Sequence, residues 1–458
     1  MMMLSQAAQA TGGTLVQFAG TQGGDTHING VSSDSRKIVQ GDLFVALRGE
    51  HFDGYHFVAT AAQAGAVAAL VNASSYRGEQ APCPLLLVED TRLALGHLAA
   101  WWRGQFAIPL VAITGSNGKT TVKEMLAGIL RVAADSADAV LATRGNFNND
   151  IGMPLTLLQM KATHRYAVIE MGMNHPGEID YLTRIAAPDV ALINNASGAH
   201  LAGLGSVEAV ARAKGEIFAG LQHHGTAVIN SDDEHARLWR TLAGAHPLLE
   251  FGLNPEADVS GTWHPLGYGL RLDVTVPQGM FAADLQVPGV HNARNALAAT
   301  AAATVLNIPL ETIAAGLEKF NGVAGRLQRK VALHGAILID DTYNANPASL
   351  RAAISVLAQA GGKRILVMGD MGELGGEAAA FHGEIGAEAR RAGIEKLYAL
   401  GTLSGNAARE FGSGAQHFLR IEDLQDALEM ELDANTTVLV KGSRFMKMER
   451  VVEHFTVH

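Results

Sequence analysis

An apolar run, Val111-Ala112-Ile113, passes directly into Thr114-Gly115-Ser116-Asn117-Gly118-Lys119-Thr120-Thr121. A strand that ends in a glycine-bracketed turn followed by Lys-Thr has the chemistry to hold a phosphate. Gly115 and Gly118 let backbone N–H groups close on the anion, Lys119 places a point charge near the β and γ oxygens, and the Thr120 hydroxyl can hold Mg²⁺. The helix that follows adds the positive end of its dipole. The common nucleotide-hydrolase pattern has a further glycine where Ile113 stands, so this is a shorter form of the loop. A plain glycine turn with a merely solvated Lys119 is the competing explanation, and the strand feeding the turn argues against it.

Three further positions fall at the ends of expected strands or on nearby loops and helices, where open α/β sheets assemble ligand sites. Glu170 closes the run Ala167-Val168-Ile169 ahead of Met171-Gly172-Met173, and its carboxylate suits Mg²⁺, a hard cation that prefers oxygen. His200 follows another strand in Asn194-Asn195-Ala196-Ser197-Gly198-Ala199-His200-Leu201, and Lys214 lies in Ala211-Arg212-Ala213-Lys214-Gly215-Glu216. Taken singly, each has an ordinary explanation: a strand-end carboxylate, a hydrogen-bonded loop histidine and a solvated helix lysine.

The elements that would position these groups need a long chain. At 458 residues with 48% hydrophobic content, two or three domains can each bury a core. The net charge of -10, without a basic run, excludes a nucleic-acid backbone as the expected partner. Cys83 is the only cysteine, which leaves no internal disulfide or cysteine-rich metal site and fits a reducing cytoplasm. The N-terminus lacks a basic-then-apolar leader, and no apolar run approaches the roughly 20 residues of a membrane span. A cytoplasmic monomer is expected.

An α/β fold with three domains follows from the pattern. Residues 1–85 carry short strands, Thr14-Leu15-Val16-Gln17-Phe18 and Asp42-Leu43-Phe44-Val45-Ala46-Leu47 among them, and a helix near residues 56–65. Residues 86–324 alternate strands and helices around the phosphate loop, which predicts a parallel sheet. Within that span, residues 255–287 read as a β-rich insert, and Asn292 to Val305 as an alanine-rich helix. Residues 325–458 hold four more strands, near 336–340, 364–368, 396–400 and 437–440, in a second doubly wound, Rossmann-like unit.

Together the phosphate loop, Glu170, His200 and Lys214 resemble the Mur ligase family, ATP-dependent amide-forming enzymes of peptidoglycan precursor synthesis, and the resemblance extends over nearly the whole chain. It implies that Gly115, Ser116, Asn117, Gly118, Lys119, Thr120 and Thr121 bind ATP. It also implies that Thr120, Glu170, His200 and Lys214 serve two Mg²⁺ ions, with Lys214 carbamylated: a carbamate turns a cation into an anion able to hold the second metal. Asn292 and Asn295, in Gly289-Val290-His291-Asn292-Ala293-Arg294-Asn295, would contact adenine, although asparagines also cap helices. Arg326 would contact phosphate and Asp341 the ribose. Lys119, Lys214, His200 and Arg326 would then be the catalytic set.

Four strings resemble the family branch whose acceptor is D-alanyl-D-alanine and whose donor is UDP-N-acetylmuramoyl-tripeptide. They are Gly145-Asn146-Phe147-Asn148-Asn149-Asp150-Ile151-Gly152, Tyr343-Asn344-Ala345-Asn346-Pro347, Met368-Gly369-Asp370-Met371-Gly372-Glu373-Leu374-Gly375 and Lys441-Gly442-Ser443-Arg444. An Asp-Asn-Pro-Arg string, used by a relative to grip a diamino acid, is absent. Ser33, Asp34, Ser35 and Arg36 lie in a segment similar to the family's UDP-binding domain. Asn148, Asn149, Tyr343, Asn344 and Asn346 are expected to border the space between γ-phosphate and acceptor amine, with Asn148 and Asn149 toward the tripeptide and Asn346 toward the dipeptide. The implied reaction activates the tripeptide carboxylate as an acyl phosphate, which the dipeptide amine attacks. Because Lys119 and Asp341 lie in different domains, an open form is expected without ligands, with closure about hinges near Gly325 and the preceding linker completing the site. Two other readings compete with this one. A folylpolyglutamate-type synthetase would lack the UDP-binding segment ahead of the loop, and a non-catalytic regulator could dispense with the metal ligands kept here.

Overall fold

The computed structural model describes residues 1–16, 26–198 and 204–457. Strands form a sheet in each third of the chain, and the central one carries the phosphate loop. The N-terminal sheet has five strands in the order Thr14–Val16, Leu85–Val88, Ala68–Asn72, Asp42–Val45 and Gly30–Ser32. All are parallel except the first. Leu85–Val88 is an interior strand of this sheet, so the N-terminal unit runs past the boundary expected at residue 85. Gln17 and Phe18, read from sequence as the end of the first strand, lie outside the described residues.

The helix Thr91–Arg103 leads onward, its start fixed by the Asp90 carboxylate accepting from Arg92 and Leu93 N–H. Ala94, Leu95, Leu98 and Ala99 form its buried stripe. They belong to one continuous core with Leu43, Leu70 and Leu86 of the N-terminal sheet and Leu110, Ala112 and Ile169 of the central one.

Nine strands make the central sheet, in the order Gly279–Leu285, Gly269–Val276, Val259–Leu266, Leu248–Gly252, Thr226–Asn230, Val190–Ile193, Leu110–Thr114, Tyr166–Glu170 and Val140–Ala142. The residues read as an insert are the antiparallel meander at one end, joined in register to the parallel part through Phe251 and Val259. Side-chain alternation splits the parallel strands between two cores. Leu110, Ala112, Ala191 and Ile193 face the N-terminal side, whereas Val111, Ile113, Val190 and Leu192 face the helices Lys119–Ala134 and Val290–Val305. The second of these helices is buried nearly all round, which explains its run of alanines.

The C-terminal sheet orders six strands as Gln328–Val331, Ile337–Asp341, Thr436–Lys441, Lys363–Gly369, Lys396–Leu400 and Ala415–Phe418. The four interior strands match the sequence expectation within a residue or two. The two edge strands were missed, because half-exposed polar edges carry little apolar signal. Among the described residues, no helix is long and apolar enough to cross a membrane.

Candidate active site

Parallel packing brings the carboxyl ends of Leu110–Thr114, Tyr166–Glu170, Val190–Ile193 and Thr226–Asn230 to one edge. The chain leaves the first of these to opposite sides, so the phosphate loop sits where connectivity reverses. There a cleft of about 1800 Å³ opens between this edge and the C-terminal domain. Ser116 to Thr121, Asn148, Asn149, Glu170, Asn292, Asn295, Arg326, Asp341, Tyr343, Asn344 and Asn346 all border it.

The loop is shaped by asparagines from neighbouring strands. Asn195 Oδ1 accepts Asn117 N–H at 2.9 Å, and Asn194 Nδ2 donates at 2.9 Å to both Asn117 O and Asn295 Oδ1. Gly118 has φ +78°, and any Cβ there would collide with the amides of Asn295 and Asn194. Asn295 therefore braces the loop from beneath, and Asn292 bonds back to Pro288 O at 2.8 Å. Lys119 Nζ donates to Gly115 O at 2.7 Å. Desolvation holds its pKa below the ordinary lysine value, opposed by Glu170 and reinforced by Arg326.

At the loop's far end three segments converge on one hydroxyl. Thr120 Oγ1 donates to Glu170 Oε2 at 2.9 Å and accepts from Arg326 Nη2 at 3.1 Å. The other Glu170 oxygen accepts from Asn148 Nδ2 at 2.8 Å, while Glu170 N–H is held by Thr143 Oγ1 at 2.9 Å. Buried Lys123, one turn into the helix, fixes Thr143 O at 2.5 Å. A hydroxyl and a carboxylate together suit Mg²⁺, which takes one or two protein oxygens and completes its shell with phosphate and water. Among the described residues, no cluster of three or more His, Cys, Asp or Glu could form an all-protein metal cage. His200 lies outside the described residues.

Lys214 is 2% exposed, in the last turn of the helix Val207–Gly215, and is not among the residues bordering the cleft. Burial, with the charge of Lys119 nearby, pulls its pKa well below the usual lysine range. Burial thus favours the free amine, the form of lysine that reacts with CO₂.

The C-terminal wall is in contact with the phosphate loop, so this structure is not the open form expected without ligands. Besides Arg326, Asn346 Nδ2 donates to Asn117 Oδ1 at 2.8 Å, while its Oδ1 caps the helix Pro347–Leu357 through Ser349 N–H at 2.9 Å. The Asn346 amide, expected on the dipeptide side, is thus committed to the loop and the cap. Asn149 Oδ1 caps Gly152 N–H at 2.9 Å, and Asn344 Oδ1 accepts the next residue's N–H at 2.8 Å. Tyr343 lies under the Arg326 guanidinium, 4.3 Å from ring centre to Cζ, with Arg444 6.0 Å away. Asp341 pairs with Lys441 at 2.6 Å. Ser33, Asp34, Ser35 and Arg36 do not join this cleft. Asp34 binds the Arg36 guanidinium through both oxygens at 2.9 Å, an ion pair that lowers its pKa to about 2.

Sequence reading passed over Thr143, Lys123, Asn194 and Asn195 as functional positions. The two asparagines at the end of an apolar strand were the available signal; the other two act only through the tertiary fold.

The chain matches the catalytic domain of the Mur ligase family over residues 27–103, the Mur ligase middle domain over 113–303 and the Mur ligase glutamate ligase domain over 325–444. It is 42% identical over 435 residues to the UDP-N-acetylmuramoyl-tripeptide--D-alanyl-D-alanine ligase of Escherichia coli (strain K12), covering 94% of each chain. The ligase of the same name from Haemophilus influenzae is 42% identical, with 93% of each covered. Crystal structure I of MurF from Acinetobacter baumannii superposes with a TM-score of 0.91 at 38% identity, over 99% of this chain and 98% of that one. MurF ligase from Thermotoga maritima in complex with ADP gives 0.82 at 27% identity, over 93% and 96%. With a phosphate loop, a carboxylate and an arginine from the next domain meeting at Thr120, and with this likeness along its whole length, the chain belongs to the Mur ligase family.

Proposed function

We propose that this protein is an ATP-dependent carbon–nitrogen ligase that joins D-alanyl-D-alanine to UDP-N-acetylmuramoyl-tripeptide in peptidoglycan precursor synthesis, releasing ADP and phosphate. The observation that carries the reading is the junction at Thr120, where a carboxylate of the central sheet and an arginine of the C-terminal domain meet the phosphate loop. A site assembled from two domains suits a reaction that must bring ATP, a carboxylate donor and an amine acceptor together. The names of the full-length relatives supply the substrates.

A carboxylate is a poor electrophile because its oxide cannot leave. Transfer of the γ-phosphoryl group to the tripeptide carboxylate gives an acyl phosphate, from which phosphate departs when the dipeptide amine attacks. Lys119 and Arg326 face the charge spread over the phosphoryl oxygens during transfer. Two like charges about 4 Å apart repel by roughly 4 kcal/mol at an effective dielectric near 20. Mg²⁺ held by Thr120 and Glu170, with a second ion served by His200 and a carbamate on Lys214, would supply the neutralising charge. Asn292, Asn295 and Asp341 border the adenosine side, while Asn148, Asn149, Tyr343 and Asn344 lie toward the tripeptide and the acceptor. Ser33, Asp34, Ser35 and Arg36 remain assigned to the UDP end. Arg444 carries an exposed guanidinium, ion-paired with Glu449 at 3.2 Å, that can meet the dipeptide carboxylate. The protein works as a cytoplasmic monomer.

The test is phosphate release from ATP with each substrate omitted in turn, and with a free diamino acid in place of the dipeptide. Release that requires both UDP-linked tripeptide and D-alanyl-D-alanine is expected. Release with the diamino acid alone would overturn the reading.

A further inference from the structure

The loop that follows the strand Lys363–Gly369 forms part of the cleft wall beside Ser443 and Arg444, through Gly372, Glu373 and Leu374. It is held at three successive residues, the first by its side chain and the next two by backbone N–H. The Asp370 carboxylate accepts Leu403 N–H at 3.2 Å and Ser404 N–H at 2.7 Å. Gly372 N–H donates to Ser443 Oγ at 2.8 Å, and that hydroxyl continues to Ala345 O at 3.1 Å. Between them, Met371 N–H donates to His382 Nε2 at 2.9 Å.

His382 is 0% exposed, on the helix Ala378–Arg391 behind the loop. Its other nitrogen, Nδ1, lies 2.6 Å from Ala378 O. A carbonyl only accepts and a peptide N–H only donates, so the ring must be neutral with its proton on Nδ1. An imidazole with both nitrogens committed in this way cannot shuttle a proton; it acts as a bracket. The bracket holds a strained segment: Glu373, immediately beyond, has φ +62°, a left-handed conformation unfavourable for a side chain of its kind and kept only where the surroundings impose it.

We infer that His382 is a positioning residue for the acceptor: by fixing Met371 N–H it holds Gly372 in place and Glu373 in the strained conformation that shapes the dipeptide side of the cleft. This rests on the ligase reading above. His382→Leu leaves a buried N–H unpaired and lets the loop relax. His382→Gln offers an amide oxygen at the reach of Nε2 and restores the bond.

Steady-state kinetics on the full-length protein test the inference, varying ATP, UDP-linked tripeptide and D-alanyl-D-alanine separately. For His382→Leu, KM for the dipeptide should rise about tenfold, corresponding to one lost buried hydrogen bond, while the other two KM values stay within about twofold. His382→Gln should recover most of that loss. Should the leucine variant fail to fold, imidazole ¹⁵N shifts of the wild type at pH 7.5 provide the second measurement, and a neutral Nδ1–H tautomer is expected. Equal loss of affinity for all three substrates, no loss for any, or an Nε2–H tautomer would overturn the inference. If the wild type itself did not use the dipeptide, the ligase reading would fall instead, and the two failures are therefore distinguishable.

Discussion

Replacing Asn346 separates two roles that the structure gives to one side chain. Its Oδ1 caps the helix Pro347–Leu357 in a reciprocal box with Ser349, and its Nδ2 reaches across the domain boundary to Asn117. Asn346→Ala loses both. Loss of the cap costs about 1 kcal/mol, which lowers Tm by roughly 2–4 °C. Loss of a neutral hydrogen bond to the phosphate loop costs about 1 kcal/mol more, a factor of about five in an equilibrium constant. Asn346→Ser keeps a capping oxygen but cannot reach Asn117. Differential scanning fluorimetry should therefore show Tm lowest in the alanine variant and partly restored in the serine variant. Coupled phosphate release should show KM for ATP raised about fivefold in both. If serine restored the ATP KM as well, the bond to Asn117 would contribute nothing. If only the dipeptide KM changed, Asn346 would belong to the acceptor pocket, as its place in the sequence first indicated.

Lys119→Ala should reduce kcat on the order of 100-fold or more with little change in Tm, since its charge acts on the phosphoryl group in transfer; unchanged kcat would remove the loop from the chemistry. Lys214→Ala should be inactive and partly rescued by acetate, a carboxylate standing in for the carbamate, whereas activity unaffected by the substitution would leave Lys214 a buried lysine without a role. His291 is neutral down to about pH 4, chiefly because it is desolvated and also because Lys441 and Arg294 lie near it, compared with an ordinary histidine value of 6.5. Between those values the unfolded chain takes up a proton that the folded one refuses, so stability falls as pH drops from about 6.5 toward 4. Denaturant melts across that window should show a flatter pH dependence in His291→Gln, and an unchanged slope would refute the assignment.

The phosphate loop was legible because strand, glycines and Lys-Thr are contiguous, and Glu170 because it ends an equally apolar strand. What distance in sequence concealed was which polar groups serve the ligand and which serve each other. Asn295, implied as a nucleotide contact, has a second part that only the fold shows: it lies against Gly118, where it occupies the space a Cβ would need. Asp34 and Arg36, implied as UDP contacts, are paired with one another, which their adjacency in sequence does not by itself reveal. Lys123 and Thr143 carry no local signal at all; they matter only because the strand Val140–Ala142 returns beside Tyr166–Glu170. The edge strands escaped notice because solvent on one side removes the apolar periodicity that marks interior strands.

The buried side chains that join the N-terminal sheet to one face of the central sheet form a single cluster, whereas the C-terminal sheet buries its two faces in clusters of its own, touched from the central domain by half-buried Tyr268. Cooperativity follows the continuity of a core rather than the count of sheets. The molecule should therefore melt as two calorimetric units and not three, with the first two-thirds of the chain unfolding together. Proteolytic nicking would be expected near Gly322 to Gly325, where the chain passes between units. An insult to the small N-terminal sheet would then propagate into the unit that carries the phosphate loop, while damage confined to the last third would spare the fold of that loop and remove Arg326 and Asp341 from the cleft.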